Sequence, residues 1–215
     1  MFNPLRIEVL GRFTAADSFF RFAHGPDRTA PQAQTAKGLA FVQIYAIYEY
    51  TVCTVFRIAI DSLVSHKHST KALTPSLMAL FLDPQLRSLR DCSPSNVWSR
   101  RLELFGTIFS RASAKVPNTV LPSDGTHFRH TQLELIFEVF GIKRMPARRR
   151  IHLRRIDEVV DARNAIAHGR ETPDTIGRRH SRLDILHRMA QMKSVCLLLI
   201  GVIEHYCSNP TRHRR

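Results

Sequence analysis

The sequence predicts an all-α fold. Apolar residues recur at helical spacing through most of the chain. No stretch shows strand-like alternation closed by hairpin turns, and the interruptions fall at Pro, Gly and Ser/Asp clusters. With 215 residues, 44% apolar and 23% charged, the chain has the length and composition of one ordinary globular domain.

Residues 1–34 are read as an N-terminal segment, holding the apolar cluster Phe19, Phe20 and Phe22, followed by a loop from His24 to Gln34. A long helix is expected over Thr35–Ser65, with Gln43, Tyr50, Thr54, Arg57 and Asp61 as its polar stripe. Further helices are expected at Pro75–Arg90 and Pro94–Arg111. Pro117 and the run Pro122 to Gly125 then break the pattern. A helix over His127–Phe140 precedes a second break at Pro146. The remaining helices are expected at Ile151–His168 and Ser181–Cys207, separated by a turn from Gly169 to Gly177. The division that follows is a segment at 1–34, a helical domain at 35–207 and a basic tail at 208–215. The tail ends in Arg212 to Arg215 and is read as unstructured.

Lys and Arg number 32 against 18 Asp and Glu, a formal net charge of +14. The excess favours a polyanionic partner. Only Lys37, Lys67, Lys71, Lys115, Lys143 and Lys193 are lysines, and arginine offers a planar fork for phosphate that also stacks on bases. The reading is therefore RNA or another nucleic acid, with Arg144, Arg148, Arg149, Arg150, Arg154 and Arg155 as the candidate backbone-tracking cluster.

Other chemistries find no support. Met1–Phe13 lacks the basic-then-apolar order of a signal peptide, and the run Val195 to Ile203 is too short to span a bilayer. A soluble, cytoplasmic protein with no membrane partner is expected. Cys53, Cys92, Cys196 and Cys207 are scattered and read as reduced, mostly core, residues. The pairs His66/His68 and His127/His130 come without companion ligands, so no metal is expected. There is neither a nucleophile elbow nor a Gly-rich loop ending in Lys-Ser/Thr, and no cofactor is expected.

The helix over 151–168 carries the informative string Val159-Val160-Asp161-Ala162-Arg163-Asn164-Ala165-Ile166-Ala167-His168-Gly169. On an ideal helix Ile156, Val159, Val160, Ile166 and Ala167 share one face, and Arg163 lies in its middle. A guanidinium there requires an anion or a phosphate to offset desolvation. Glu49, which falls outside the polar stripe of its own helix and beside Phe56 and Ile60, is the candidate carboxylate to supply it; the alternatives are that Glu49 is partly exposed or pairs with another of the many arginines. His168 sits at the helix end, where Gly169 suits a left-handed cap. A permanent cation beside an imidazole provides what metal-independent RNA cleavage needs. Histidine moves the 2′-OH or leaving-group proton, arginine steadies phosphoryl charge, and Asn164 orients one or the other. Arg163 and His168 are about 140° apart around the helix, so one chain does not readily aim both at one phosphate. Two such helices about a twofold axis would do so.

Spacing alone is worth little: in a chain so rich in Arg and His roughly one Arg-x4-His arises by chance, and Arg182 with His187 is another. The whole string, however, resembles the R-N-x-x-x-H signature of the HEPN superfamily (higher eukaryotes and prokaryotes nucleotide-binding domains). The order of elements from Ala36 to Cys207 resembles the prokaryotic HEPN nucleases and toxins. The resemblance implies a HEPN-like antiparallel helical bundle and a homodimer packed through the motif helices. It places Arg163 and His168 in catalytic positions, with Asn164 as an accessory polar group. It further implies an endoribonuclease of the toxin or antiviral type, controlled by an antitoxin or other regulatory protein. The subgroup regulated by antitoxin AMPylation carries Tyr two residues after the histidine, whereas Arg170 stands here. The alternative is a non-catalytic nucleic-acid- or nucleotide-binding module within a larger complex, and a structural adaptor ranks third.

Overall fold

The computed structural model describes residues 2–25, 30–113, 128–142 and 150–213. Among these it contains nine α-helices and no strand: α1 (Asn3–His24), α2 (Pro31–Ser65), α3 (Pro75–Phe81), α4 (Asp83–Asp91), α5 (Val97–Phe109), α6 (His130–Val139), α7 (Arg150–Ala167), α8 (Pro173–Arg178) and α9 (Arg182–Cys207). The protein is all-α, as the periodicity requires. It divides into two compact units. One comprises Met1–Val55, His127–Leu133 and Met145–Val202; the other comprises Phe56–Thr126, Glu134–Arg144 and Ile203–Arg215.

In the first unit α1 supplies an element that the sequence reading left unassigned. Leu5, Val9, Phe13, Ala16, Phe20 and His24 are its buried residues, at steps of three and four. The Phe19/Phe20/Phe22 cluster obscured that stripe, because only Phe20 of the three is buried. The Arg12 guanidinium lies 3.8 Å from the centre of the Tyr50 ring, binding α1 to α2. In α2, Phe41, Ile44, Tyr45, Tyr48, Val52 and Val55 are buried, and the expected polar stripe is partly or wholly exposed.

The turn expected from Gly169 to Gly177 contains the short helix α8. Pro173 opens it at a position that needs no N–H, and Asp174 favours its first turn. α8 lies hard against α2. A Cβ on Gly38 would stand 2.0 Å from the Pro173 carbonyl oxygen, and one on Gly177 would stand 1.8 Å from that of Gln34. Only glycines allow this approach. The same seam holds Lys37, whose buried ammonium donates to the His180 carbonyl at 2.8 Å, and the His180 ring packs on Phe41.

In the second unit, the single helix expected over Pro75–Arg90 is broken at Leu82 into α3 and α4. Pro84 explains the break. Its ring would clash with the carbonyl four residues earlier in a continuous helix, whereas in the first turn of a new one it is tolerated. Leu104 of α5 packs with Met78 and Leu82, flanked by Leu89 and Ile108. The rings of Phe56, Phe137, Phe140 and Tyr206 form a cluster in which Phe56 meets Phe137, and Phe140 meets Tyr206, edge-to-face, while Phe56 and Phe140 are tilted at 39°. The tail differs from expectation: Pro210–His213 forms a short 3₁₀ turn, and His213 is wholly buried against His66, His68 and Tyr206.

Among the described residues, α2 and α9 are the two helices long and apolar enough to cross a membrane by length and composition. The most apolar windows of both are about half buried within the protein.

Candidate active site at the end of the motif helix

The first unit contains the whole string from Val159 to Gly169. α7 presents Leu153, Ile156, Val159 and Val160 to the interior, all at 2% exposure or less. Two side elements hold it there. At the start of α6 the backbone N–H of His130 donates to Asp157 Oδ1 at 3.1 Å, and the His130 ring meets Oδ2 at 2.6 Å. Asp157 thus satisfies one of the orphan donors of the neighbouring helix N-terminus. Beside it Arg129 donates to Asp161 at 2.5 Å, a contact that raises the arginine pKa. On the α9 side, Arg188 donates to Glu158 at 2.5 Å, and Arg155 reaches the other oxygen at 3.1 Å.

The apolar face does not continue to the helix end. Ile166 is half-buried and Ala167 exposed, in contrast to the expectation that both lie within the seam. Asn164 is still buried, and exposure begins at Ala167 and continues through His168 and Gly169.

Arg163 is half-buried. Its Nη1 donates to Asn164 Oδ1 at 3.0 Å, and its guanidinium carbon lies 4.9 Å from the centre of the Tyr45 ring on α2. The expected direct pairing with Glu49 is not made. Instead the Tyr45 hydroxyl donates to Glu49 Oε1 at 3.0 Å, and Glu49 is half-buried. Tyr45 and Glu49 are four residues apart on one helix, so carboxylate and ring lie side by side, and the ring is what reaches α7. Burial, reinforced by the Glu49 carboxylate, pushes the Tyr45 hydroxyl well above its usual range, while Arg163 pulls the other way. The phenol therefore stays protonated and donates. The negative ring face, with the carboxylate behind it, offsets the cost of a half-buried cation. Tyr45 is the residue that sequence reasoning missed; its position one turn before Glu49 was the available signal.

Asn164 is 6% exposed and joins both halves of the motif. Its side chain accepts from Arg163, and its carbonyl accepts from the His168 N–H at 3.0 Å. His168 is the last residue before the cap. Gly169 takes φ +66°, the Gly169 N–H donates to the Ile166 carbonyl at 3.1 Å, and the Arg170 N–H reaches back to that of Ala165 at 2.9 Å. This paired closure is a Schellman motif, and it fixes the backbone from which His168 projects. The His168 side chain is exposed, whereas Arg163 turns inward to Tyr45. The two diverge as the helical wheel requires.

Of the six cluster arginines, Arg144, Arg148 and Arg149 lie outside the described residues, and Arg150 is described by its backbone only. Arg154 and Arg155 are exposed on the first turns of α7. Arg154, Asp161 and His168 recur at seven-residue steps and so share one helix stripe. The structure adds Arg129 to that stripe through its bond to Asp161.

Burial raises the Cys196 thiol to about 12, in keeping with an inert core residue. A family model described as HEPN_MAE_28990-like HEPN matches residues 14–211, a stretch that begins within α1. No curated protein and no solved structure matches the chain.

Proposed function

The chain belongs to the HEPN_MAE_28990-like HEPN family, and from that premise we propose that it is a metal-independent endoribonuclease whose site is shared between two motif helices. The observation that carries this reading is the arrangement at the end of α7. A guanidinium is held against Tyr45 and Asn164, and one turn later an exposed imidazole stands on a capped helix end. In the proposed reaction His168 moves the proton of the attacking ribose 2′-OH or of the leaving 5′-oxygen. Arg163 stabilises charge on the phosphoryl oxygens, and Asn164 fixes the guanidinium. The products are a 2′,3′-cyclic phosphate and a 5′-hydroxyl.

The divergence of Arg163 and His168 supports a homodimer through α7. The exposed Ala167 and half-buried Ile166 are apolar residues beside the site that a second motif helix would cover. Arg154, Arg155 and Arg129 are the described cations placed to follow an RNA backbone. We place the protein in the cytoplasm, as a toxin or defence effector restrained by a regulatory protein.

The test is RNA cleavage in EDTA by wild type, Arg163→Ala and His168→Ala. Each substitution is expected to cost on the order of 100-fold or more in rate, as for removal of a charge-stabilising or proton-transferring group. A 2′-deoxy substrate should be inert. Mixing the two inactive variants should restore part of the activity if a composite site regains one intact set. Cleavage unchanged in both variants would refute the mechanism. Binding of RNA without cleavage, in the presence of any activating partner, would instead identify a non-catalytic module, a reading favoured by the turning of Arg163 away from His168 within one chain.

A further inference from the structure

α5 has two apolar faces, and the second unit uses one of them. Leu104 and Ile108 face the Met78/Leu82/Leu89 cluster. About a third of a turn away stand Trp98, Leu102, Phe105 and Phe109, with 71%, 72%, 57% and 65% of their surfaces exposed. They follow one another at steps of four, three and four, the spacing of a coiled-coil seam. Scattered exposed apolar residues are ordinary, but four large ones in a row on one short helix are not.

We propose that this seam is a self-association surface, on which α5 of one chain packs against α5 of a second copy. The spacing selects a helix as the occupant, because a seam of 3.5-residue period keeps facing only another helix that coils with it. Charge then selects the copy. The positions flanking the seam are Ser99, Arg101, Gly106 and Ile108. Arg101 is the one charge among them, and it lies 4.9 Å from the centre of the Trp98 ring; Arg100 and Glu103 pair with each other at 2.8 Å. There is no row of like charges to select an acidic ligand and none to repel an identical helix. A Cβ on Gly106 would meet nothing within 4 Å, so the side of α5 next to the seam is open to a close backbone approach.

Size agrees. The four side chains expose on the order of 500 Å² in one chain, so two copies would bury about 1,000 Å², at the lower bound for a specific interface. An interface of this size is typical of reversible association. Since each chain carries +14, salt should strengthen the association by screening repulsion, the reverse of its effect on RNA binding. The proposal does not depend on the catalytic reading.

Trp98 is the sole tryptophan of the chain and lies within the seam, so its fluorescence reports this surface. Emission and mass in solution are followed from nanomolar to high micromolar protein, at low and high salt. A blue shift that rises with mass, appears at lower protein concentration in high salt, and is abolished in Leu102→Glu is the expected result. Phe109→Ser, at the far end of the seam, serves if Leu102→Glu does not keep the wild-type helicity and melting temperature. Association through α7 alone would raise the mass and leave Trp98 exposed. Emission that stays at the solvent-exposed wavelength while concentration rises, or that shifts equally in the seam variants, would overturn the proposal.

Discussion

Tyr45 is a residue of α2 that meets Arg163. It presents a ring face to the guanidinium and a hydroxyl to Glu49, so its two contributions can be separated by substitution. Tyr45→Phe keeps the ring and drops the hydrogen bond, and under the proposed nuclease reading is expected to retain most RNA cleavage. Tyr45→Leu removes both, and the loss of a partly desolvated cation–π contact worth ~1–2 kcal/mol should lower the single-turnover rate by about tenfold or more. Equal loss in the two variants would mean that the ring does not position Arg163. The motif residues themselves could be read from the sequence, because Arg in an apolar seam and His before Gly are one-dimensional patterns. The partner of Arg163 could not. Helical periodicity places Glu49 and Tyr45 on adjoining parts of one helix, but which of them reaches α7 depends on how the helices approach.

Helix α8 shows how elements hold the site. Its seam with α2 admits no side chain at Gly38 or Gly177, because the atoms in the way are backbone carbonyls that cannot swing aside. Gly38→Ala and Gly177→Ala should each destabilise the protein by roughly 2 kcal/mol or more, since the helices must separate. Gly11→Ala, where a Cβ meets nothing within 4 Å, should stabilise it by about 0.5–1 kcal/mol through helix propensity. Denaturant midpoints for the three variants check this, and a neutral Gly38→Ala would contradict the tight seam. Element boundaries follow the same logic of what a pattern can carry. The sequence places α7 within one residue at each end, because apolar spacing and a glycine cap agree there. It misses α1, whose buried stripe runs beneath a cluster of exposed phenylalanines. It also joins α3 to α4, because the spacing of Leu77, Leu82 and Leu86 continues across a break that Pro84 imposes on the backbone alone.

At the scale of the whole chain, the seam between α2 and α8 links folding to acidity. Burial lowers the His180 pKa, against the opposing pull of Glu158 and Asp184. The unfolded chain therefore takes up this proton first. Stability is intact above the ordinary histidine value of about 6.5 and falls as the pH descends from there towards the depressed folded value. The melting temperature should drop between pH 7 and about pH 5, and His180→Leu should flatten that slope. Asp174 and Asp184 act lower down: bonds from Thr172 and Ser181 hold both below the usual carboxylate range, so their contribution is lost only in stronger acid. A melting curve independent of pH over this interval in wild type would contradict the burial of His180. The overall class and the order of helices were readable from periodicity, whereas this seam was not, because two glycines and a histidine so far apart carry no local signature of their contact. The bond from Lys37 to His180 joins residues 143 apart in sequence, and closing so long a loop is entropically slow. Whatever order the chain is made in, this latch on α2 can close only once the segment that carries the motif helix and α8 is present, so the integrity of that later segment is a condition for holding the earlier helix.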